Sequence, residues 1–377
     1  MEFFSPNIRI NFMKYRAISV SVSGLLMVLS AAAFFWPGPN YGVDFRGGTE
    51  LQLAFKGKVD PGTLRQTLEK LGYDRPDVVA VEGQKNQYII RVSDVSALTT
   101  AKEAEVEKSL PGKFSGVTVE SVKWSPGGDK VSLDLSGPVD TATISAALES
   151  AGVKVRTVSQ FGQTNDSRYE AQLVGVSDKL VSDLQTALGE KGPDAPLRAE
   201  WVGPKAGAQL RDGAIQSLIY AILFIMVYVA FRFDLRFAPG GVIALIHDAL
   251  LTGGFVILVG LEFNLQTVAA LLTIVGFSIN DTIVTFDRIR ENMGRLKDAS
   301  LAELINISTS QMLSRTIITS GTAILSLGAF LIWGTPLIRE MSLTLIVGFI
   351  IGVYSSVYVA APITEWMDRK FFRRIAA

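Results

Sequence analysis

The run Gly276-Phe277-Ser278-Ile279-Asn280-Asp281-Thr282-Ile283-Val284-Thr285-Phe286-Asp287-Arg288 sets one carboxylate, Asp281, well inside an apolar segment that begins near Leu265. A carboxylate held in mid-span costs roughly 2.5–3.5 kcal/mol on insertion scales, so an acid retained there marks an ion or proton path. The plainer reading is a helix–helix hydrogen bond that fixes packing. On a helix, Ser278, Asp281, Thr282 and Thr285 share one face through three- and four-residue spacings, as the lining of a hydrated seam would. Asn280 adjoins them. His247 and Asp248 lie in the preceding apolar segment, where they either extend a proton relay or brace the turn Phe233-Asp234-Leu235-Arg236. Arg315 opens the next segment, followed by Thr316, Thr319, Ser320 and Thr322. A close guanidinium favours the ionised carboxylate, so an arginine that approached and left Asp281 would switch the acid between holding and releasing a proton. A static ion pair is the alternative.

Little else in the chain is equipped for chemistry. His247 is the single histidine and there is no cysteine, so zinc-type ligand clusters and nucleophile–base–orienter sets are missing. Neither Gly47-Gly48 nor Gly127-Gly128 is followed by the Gly-Lys-Ser/Thr of a phosphate loop. No enzyme activity, cofactor or metal is expected. Net charge is zero and no basic, aromatic-rich patch occurs, which argues against nucleic acid.

The elements that must position these residues are membrane helices. Of 377 residues 48% are hydrophobic, and the 19% that are charged concentrate between Asp44 and Lys205. Apolar segments of about 20 residues, the length that spans hydrocarbon, run over 14–36, 208–231, 240–261, 265–286, 316–333 and 341–363. Arg9, Lys14 and Arg16 precede the first; Arg232 and Arg236 follow the second; Arg288, Arg290, Arg295, Lys297 and Arg315 follow the fourth; Arg369, Lys370, Arg373 and Arg374 follow the sixth. With alternating spans all four clusters fall on one side, so the positive-inside rule predicts a cytoplasmic N-terminus (1–13), a cytoplasmic C-terminus (364–377) and an extracytoplasmic domain between the first two spans. Ala31-Ala32-Ala33 resembles a cleavage site, but the first apolar core is too long for a signal peptide and Phe34-Phe35-Trp36 reads as an interfacial anchor, so it is expected to be retained. Without cysteine the outer domain must be held by its core alone.

That domain repeats. Aligned without gaps, 51–72 and 131–152 share Leu53/Leu133, Gly57/Gly137, Val59/Val139, Asp60/Asp140, Thr63/Thr143, Leu68/Leu148, Glu69/Glu149 and Gly72/Gly152. Each copy predicts strand, helix, two strands, helix, strand: the βαββαβ order of a ferredoxin-like module. The expected architecture is a multi-pass helical membrane protein with an α+β domain of two tandem modules, 40–125 and 130–204. Exposed strand edges of such modules suit the capture of an extended polypeptide. Ser300 with Glu303 predicts a capped amphipathic helix on the membrane surface before Met312. Gly348 and Gly352 predict close packing inside the bundle.

Several long motifs, in order, carry a resemblance: 41–49 (Tyr-Gly-Val-Asp-Phe-Arg-Gly-Gly-Thr), 202–207 (Val-Gly-Pro-Lys-Ala-Gly), 244–248 (Ala-Leu-Ile-His-Asp), 276–284, 288–292 (Arg-Ile-Arg-Glu-Asn) and 315–321 (Arg-Thr-Ile-Ile-Thr-Ser-Gly). They resemble the SecD/SecF protein-export family of the proton-driven resistance-nodulation-division superfamily, and the form Ser-Ile-Asn-Asp-Thr is closer to its smaller subunit. The resemblance implies a bacterial inner-membrane subunit that pairs with SecD, associates with the SecYEG channel and sometimes YajC, and uses the proton gradient to move preproteins at late stages of translocation, with lipid around its spans. It implies a proton path through Asp281 with Arg315 as its partner, and places Gly42, Asp44, Gly47 and Gly48 in the family motif outside the membrane. Family members usually have one ferredoxin-like module; here it is doubled. Two other readings are a passive scaffold and a proton-coupled half-unit of a small-molecule exporter. An intramembrane aspartyl protease using Asp248 and Asp281 lacks its Gly-x-Gly-Asp pattern.

Overall fold

In the computed structural model, residues 10–372 are described apart from 75, 82–83, 95–97, 99, 115, 126–127, 162–166 and 235. Arg9, Arg373 and Arg374, counted above for orientation, lie outside the described residues, as do Leu235 of the turn and Gly127. The chain divides into two units, Met1–Gly42 with Asp212–Ala377, and Val43–Arg211.

The second unit is α+β. In chain order it holds α2 (Val43–Arg46), β2 (Gly48–Ala54), α3 (Pro61–Lys70), β3 (Asp77–Ala80), β4 (Gln87–Val92), α4 (Thr100–Ser109), β5 (Val119–Trp124), β6 (Lys130–Leu135), α5 (Thr141–Ser150), β7 (Val155–Gln160), β8 (Arg168–Leu173), α6 (Val176–Leu188) and β9 (Arg198–Val202). β1 (Asn40–Tyr41) precedes them in the first unit. Asp60 caps α3 by accepting from the Thr63 N–H at 3.1 Å, Asp140 precedes α5 without a side-chain cap bond, and α3 and α5 end at Gly72 and Gly152 with φ of +91° and +86°.

Both sheets have the ferredoxin-like strand arrangement, β3-β4-β2-β9 and β5-β6-β8-β7, but they are not tandem. The boundary at 125–130 is wrong, because the two copies exchange their last helix and strand. β5 pairs with β6, not β2, and β9 fills the open edge of β2. Hydrophobic cores follow the same division. α6 puts Val176, Leu180 and Leu184 among Leu51, Leu53 and Ile90, whereas α4 puts Val106 and Leu110 among Leu133, Leu148 and Tyr169. Loop closure explains the exchange. The linker Ser125-Pro126-Gly127-Gly128-Asp129 joins β5 to β6 as a hairpin, clasped by Ser125 Oγ to Asp129 Oδ1 at 2.6 Å and Lys130 N–H to Ser125 Oγ at 3.1 Å. A short hairpin closes at less entropy than a return of β5 to β2, and because closure cost grows only slowly with loop length, the longer return of β9 to β2 adds little. Tyr73, after α3, donates to Asp183 of α6 at 2.9 Å, and its burial, then that carboxylate, push its phenol above the ordinary range.

The first unit is the membrane bundle. α1 (Arg16–Ala33), α7 (Pro204–Arg232, begun in the other unit), α8 (Ala238–Val259), α9 (Leu265–Arg295), α10 (Leu301–Trp333) and α11 (Pro336–Ser355) lie within the six helical segments long and apolar enough to span. The last continues from α11 through a π-helical turn, Ser356–Ala360, into α12 (Ala361–Met367). Between α8 and α9 a two-residue strand β10 (Glu262–Phe263) pairs with β1. Small residues set the packing. A Cβ on Gly254 of α8 would stand 2.5 Å from Ser30 of α1, and a Cβ on Gly348 of α11 would collide with Ile274 of α9. The separate surface helix expected after Ser300 does not exist: Ser300 caps α10 as read, but the helix runs unbroken into the fifth span, since no glycine or proline interrupts 301–320.

Candidate functional site

Two carboxylates stand in the bundle, each held by hydroxyls from neighbouring helices. Asp248 of α8 is fully buried. Ser278 of α9 donates to its Oδ2 in a short hydrogen bond, Ser355 of α11 donates to the same oxygen at 2.7 Å, and His247 Nδ1 meets Oδ1 at 2.8 Å. The His247 ring stacks on Tyr354 with centroids 6.2 Å apart, and its Nε2 has no hydrogen-bond partner among the described residues. Tyr354 in turn reaches α1, its hydroxyl 3.1 Å from Ser23 Oγ.

Asp281 of α9 is half-buried. Thr316 of α10 donates to its Oδ1 at 2.6 Å and Ser356 to its Oδ2 at 2.8 Å. Ser356 opens the π turn, and such turns often sit at functional sites because the widened helix re-aims a side chain. Here the turn lets two consecutive residues serve different acids, Ser355 on Asp248 and Ser356 on Asp281.

The structure therefore brings Ser278, His247 and Asp248 together and leaves Asp281 one serine away. Thr282 is buried beside them and donates to the Ser278 carbonyl at 3.2 Å. Arg315 and Asn280 are exposed, and among the described residues Arg315 makes no ion pair with Asp281. Its neighbour Thr316, about 100° further round the helix, is the residue that meets the acid. Ser355, Ser356 and the contact role of Thr316 were not picked out in the sequence. The readable signal was the hydroxyl pair itself, set between Tyr354 and Tyr358 in an apolar span.

Gly352 keeps α11 close: a Cβ there would lie 3.1 Å from Ser278 Cβ. Gly352→Leu is expected to push α11 off α9, break both hydroxyl contacts to Asp248 and cost about 1–3 kcal/mol, read as a lower Tm of the purified chain in detergent. Gly352→Ala should cost much less, and an unchanged Tm for the leucine variant would remove the glycine from this role. At the basic end of α9, Arg288 Nε donates to Gln311 at 2.7 Å and Asn292 Nδ2 to Ser308 at 2.8 Å, so that motif pins α9 to α10.

The motif residues outside the spans form a turn and a junction. The Gly42 N–H donates to the Phe263 carbonyl at 3.1 Å. Half-buried Asp44 sits in α2, and the Gly47 N–H closes that turn on Val43 O at 2.9 Å. Gly48 has φ of +128° and no room for a Cβ, which would stand 2.5 Å from Val92 O. Gly207, at the start of α7, abuts the same turn: its Cβ would be 2.9 Å from the Gly47 nitrogen.

Comparison with known proteins gives matching results along the whole chain. Residues 184–370 match the family "Protein export membrane protein SecD/SecF, C-terminal", and residues 33–59 match the "SecD/SecF GG Motif". The chain is 34% identical to a protein translocase subunit SecF of Magnetococcus marinus, across 100% of this chain and 98% of that one. It is 38% identical to the SecF subunit of Pseudomonas aeruginosa, across 95% and 92%. A crystal structure of SecDF, a translocon-associated membrane protein from Thermus thermophilus, superposes with a TM-score of 0.66 at 29% identity, covering 98% of this chain and 40% of that longer one.

Proposed function

This chain belongs to the SecD/SecF family of protein-export membrane proteins, and on that premise we propose that it couples proton movement to preprotein translocation, as a subunit joined to a SecD-type partner at the SecYEG channel. The observation that carries this reading is Asp281, an acid in a membrane helix held by two rotatable hydroxyls. As a carboxylate it accepts from both. A proton placed on Oδ2 would reverse the Ser356 contact, and that hydroxyl has a second acceptor ready, the Val353 carbonyl at 3.0 Å. Uptake and release of a proton are thereby written into a hydrogen bond at the π turn, next to the serine that holds Asp248. Arg315 is one residue from the Thr316 contact, and a turn of α10 that brought it onto Asp281 would favour proton release. Each charge crossing 100 mV supplies about 2.3 kcal/mol, enough to bias such a two-state element.

A polar strip supports the need for a partner. Asn280 of α9 and Arg315 of α10 are exposed within or beside the spans, where lipid contact is costly; the exposed hydroxyls of Thr273, Thr319 and Thr322 beside them bond back to their own helices. A second six-span bundle supplied by SecD would cover it, in keeping with the fused SecDF relative, of which this chain matches 39%. By the charge distribution, both termini are cytoplasmic and the α+β unit faces the outer side of a bacterial inner membrane, where it meets the emerging preprotein; YajC would join the same assembly.

The test is preprotein export into vesicles holding SecYEG and SecD, with and without this chain. The increment that the chain confers should vanish when an ionophore collapses the proton gradient. An increment that survives collapse would make the protein a passive scaffold.

A further inference from the structure

At the end of the bundle where basic residues collect, α1 and α12 flank an open groove of about 310 Å³. Its floor is apolar, built from Ala17 and Val20 of α1 and Ile363 of α12. Its rim is charged. Arg16 pairs with Glu365 at 3.1 Å, while Arg369 has no ion-pair partner among the described residues. Lys370 adds a third cation, its Nζ 4.8 Å from the centroid of Trp366, which also lines the groove. Against these three cations stands one carboxylate. The neighbouring acid, Asp368, is buried and faces Arg236 at 3.7 Å.

A net positive rim over an apolar floor, with an exposed tryptophan at the level of the span end, matches an amphiphile whose head is an anion. We infer that this groove binds one anionic phospholipid, its phosphate on Arg369 and Arg16 and an acyl chain along Val20 and Ile363. Inorganic phosphate would meet the same arginines but leave the floor uncovered, so the lipid is the occupant. The occupied groove would tie α1 to α12, the continuation of the helix whose π turn carries Ser356.

Native mass spectrometry of the full chain, released from vesicles of equal phosphatidylglycerol and phosphatidylcholine with identical acyl chains, tests this. Phosphatidylglycerol should be retained preferentially, and Arg369→Gln should lower that preference roughly fivefold, the value of one arginine near a charged surface. That guanidinium has no ion pair to lose, so the variant should melt like the parent. Val20→Trp, which fills the floor without touching charge, should also lower retention. Lys297→Gln, at an exposed basic residue that does not line the groove, should not. Equal retention of the two lipids by the parent chain would overturn the proposal. So would an equal loss in the Lys297 variant, which would show diffuse attraction, or displacement of the lipid by excess inorganic phosphate.

Discussion

Asp281→Asn is expected to abolish the gradient-dependent part of export while leaving the bundle assembled. Asparagine keeps the shape of the side chain, and the two hydroxyls that hold it can adapt. Thr316 still donates to the remaining carbonyl oxygen, and Ser356 turns to donate to the Val353 carbonyl while accepting from the new amide. The net change is one altered hydrogen bond, about 1 kcal/mol, so Tm and co-purification with SecD should barely move. Titration at the site is nevertheless gone. Proton conductance of proteoliposomes and the export increment should each fall at least about tenfold, which corresponds to about 1.4 kcal/mol. Loss of both with normal assembly would make Asp281 part of the path. Unchanged export would leave it a packing residue.

Asp248→Ala should behave in the opposite way, with the larger effect on folding. Its carboxylate collects donors from three helices, and at complete burial none of Ser278, Ser355 and His247 has water to turn to. Truncation takes this partner from Ser278 and His247, leaves Ser355 only the Gly352 carbonyl at 3.1 Å, and opens a cavity, for an expected loss of about 3–5 kcal/mol, seen as a sharply lower Tm and poor recovery from the membrane. Asp248→Asn, whose carbonyl oxygen can still accept from both serines while its amide faces His247 Nδ1, should be milder at about 1–2 kcal/mol. An Asp248→Ala chain that assembled with normal Tm but carried no protons would reassign Asp248 from brace to relay. The two acids thus separate by their surroundings: one is fully enclosed and shared by three side chains, the other is half-open and held by two hydroxyls.

Much of this was legible in the residues. Ser278, Thr282 and Thr285 were placed on one helix face by spacing alone, as the lining of a hydrated seam, and the structure buries all three. Arg315 shows where such reading stops. A span read as beginning at 316 leaves the helix phase of the preceding residues undefined, but α10 starts at Leu301, and its phase puts Thr316 inward and Arg315 out. Ser355 and Ser356 escaped because small hydroxyl residues are tolerated in membrane helices by bonding back to their own backbone, as both do here, to Gly352 and Val353. Only the second, cross-helix bond distinguishes them. In the α+β unit, the repeat disclosed the content of both modules but not their connectivity. Consecutive elements usually neighbour one another, and Ser125–Asp129, a hairpin linker in plain view, was the residue-level reason to divide them otherwise.

The pairing of Gly48 with Val202 has a mechanical meaning. β2 and β9 are antiparallel, so the incoming and outgoing chains of the α+β unit leave from the same end of one ladder. Drawn apart, those two chains would peel the ladder like a zipper, loading one rung at a time from Gly48↔Val202 toward Gln52↔Arg198. Drawn together, they load no rung at all. Gly207 packed on the Asp44–Gly47 turn acts as the slider of that zipper, holding the two chains side by side just before the first rung. The unit is thus hung on a double cord that tolerates a common tug and yields to splaying.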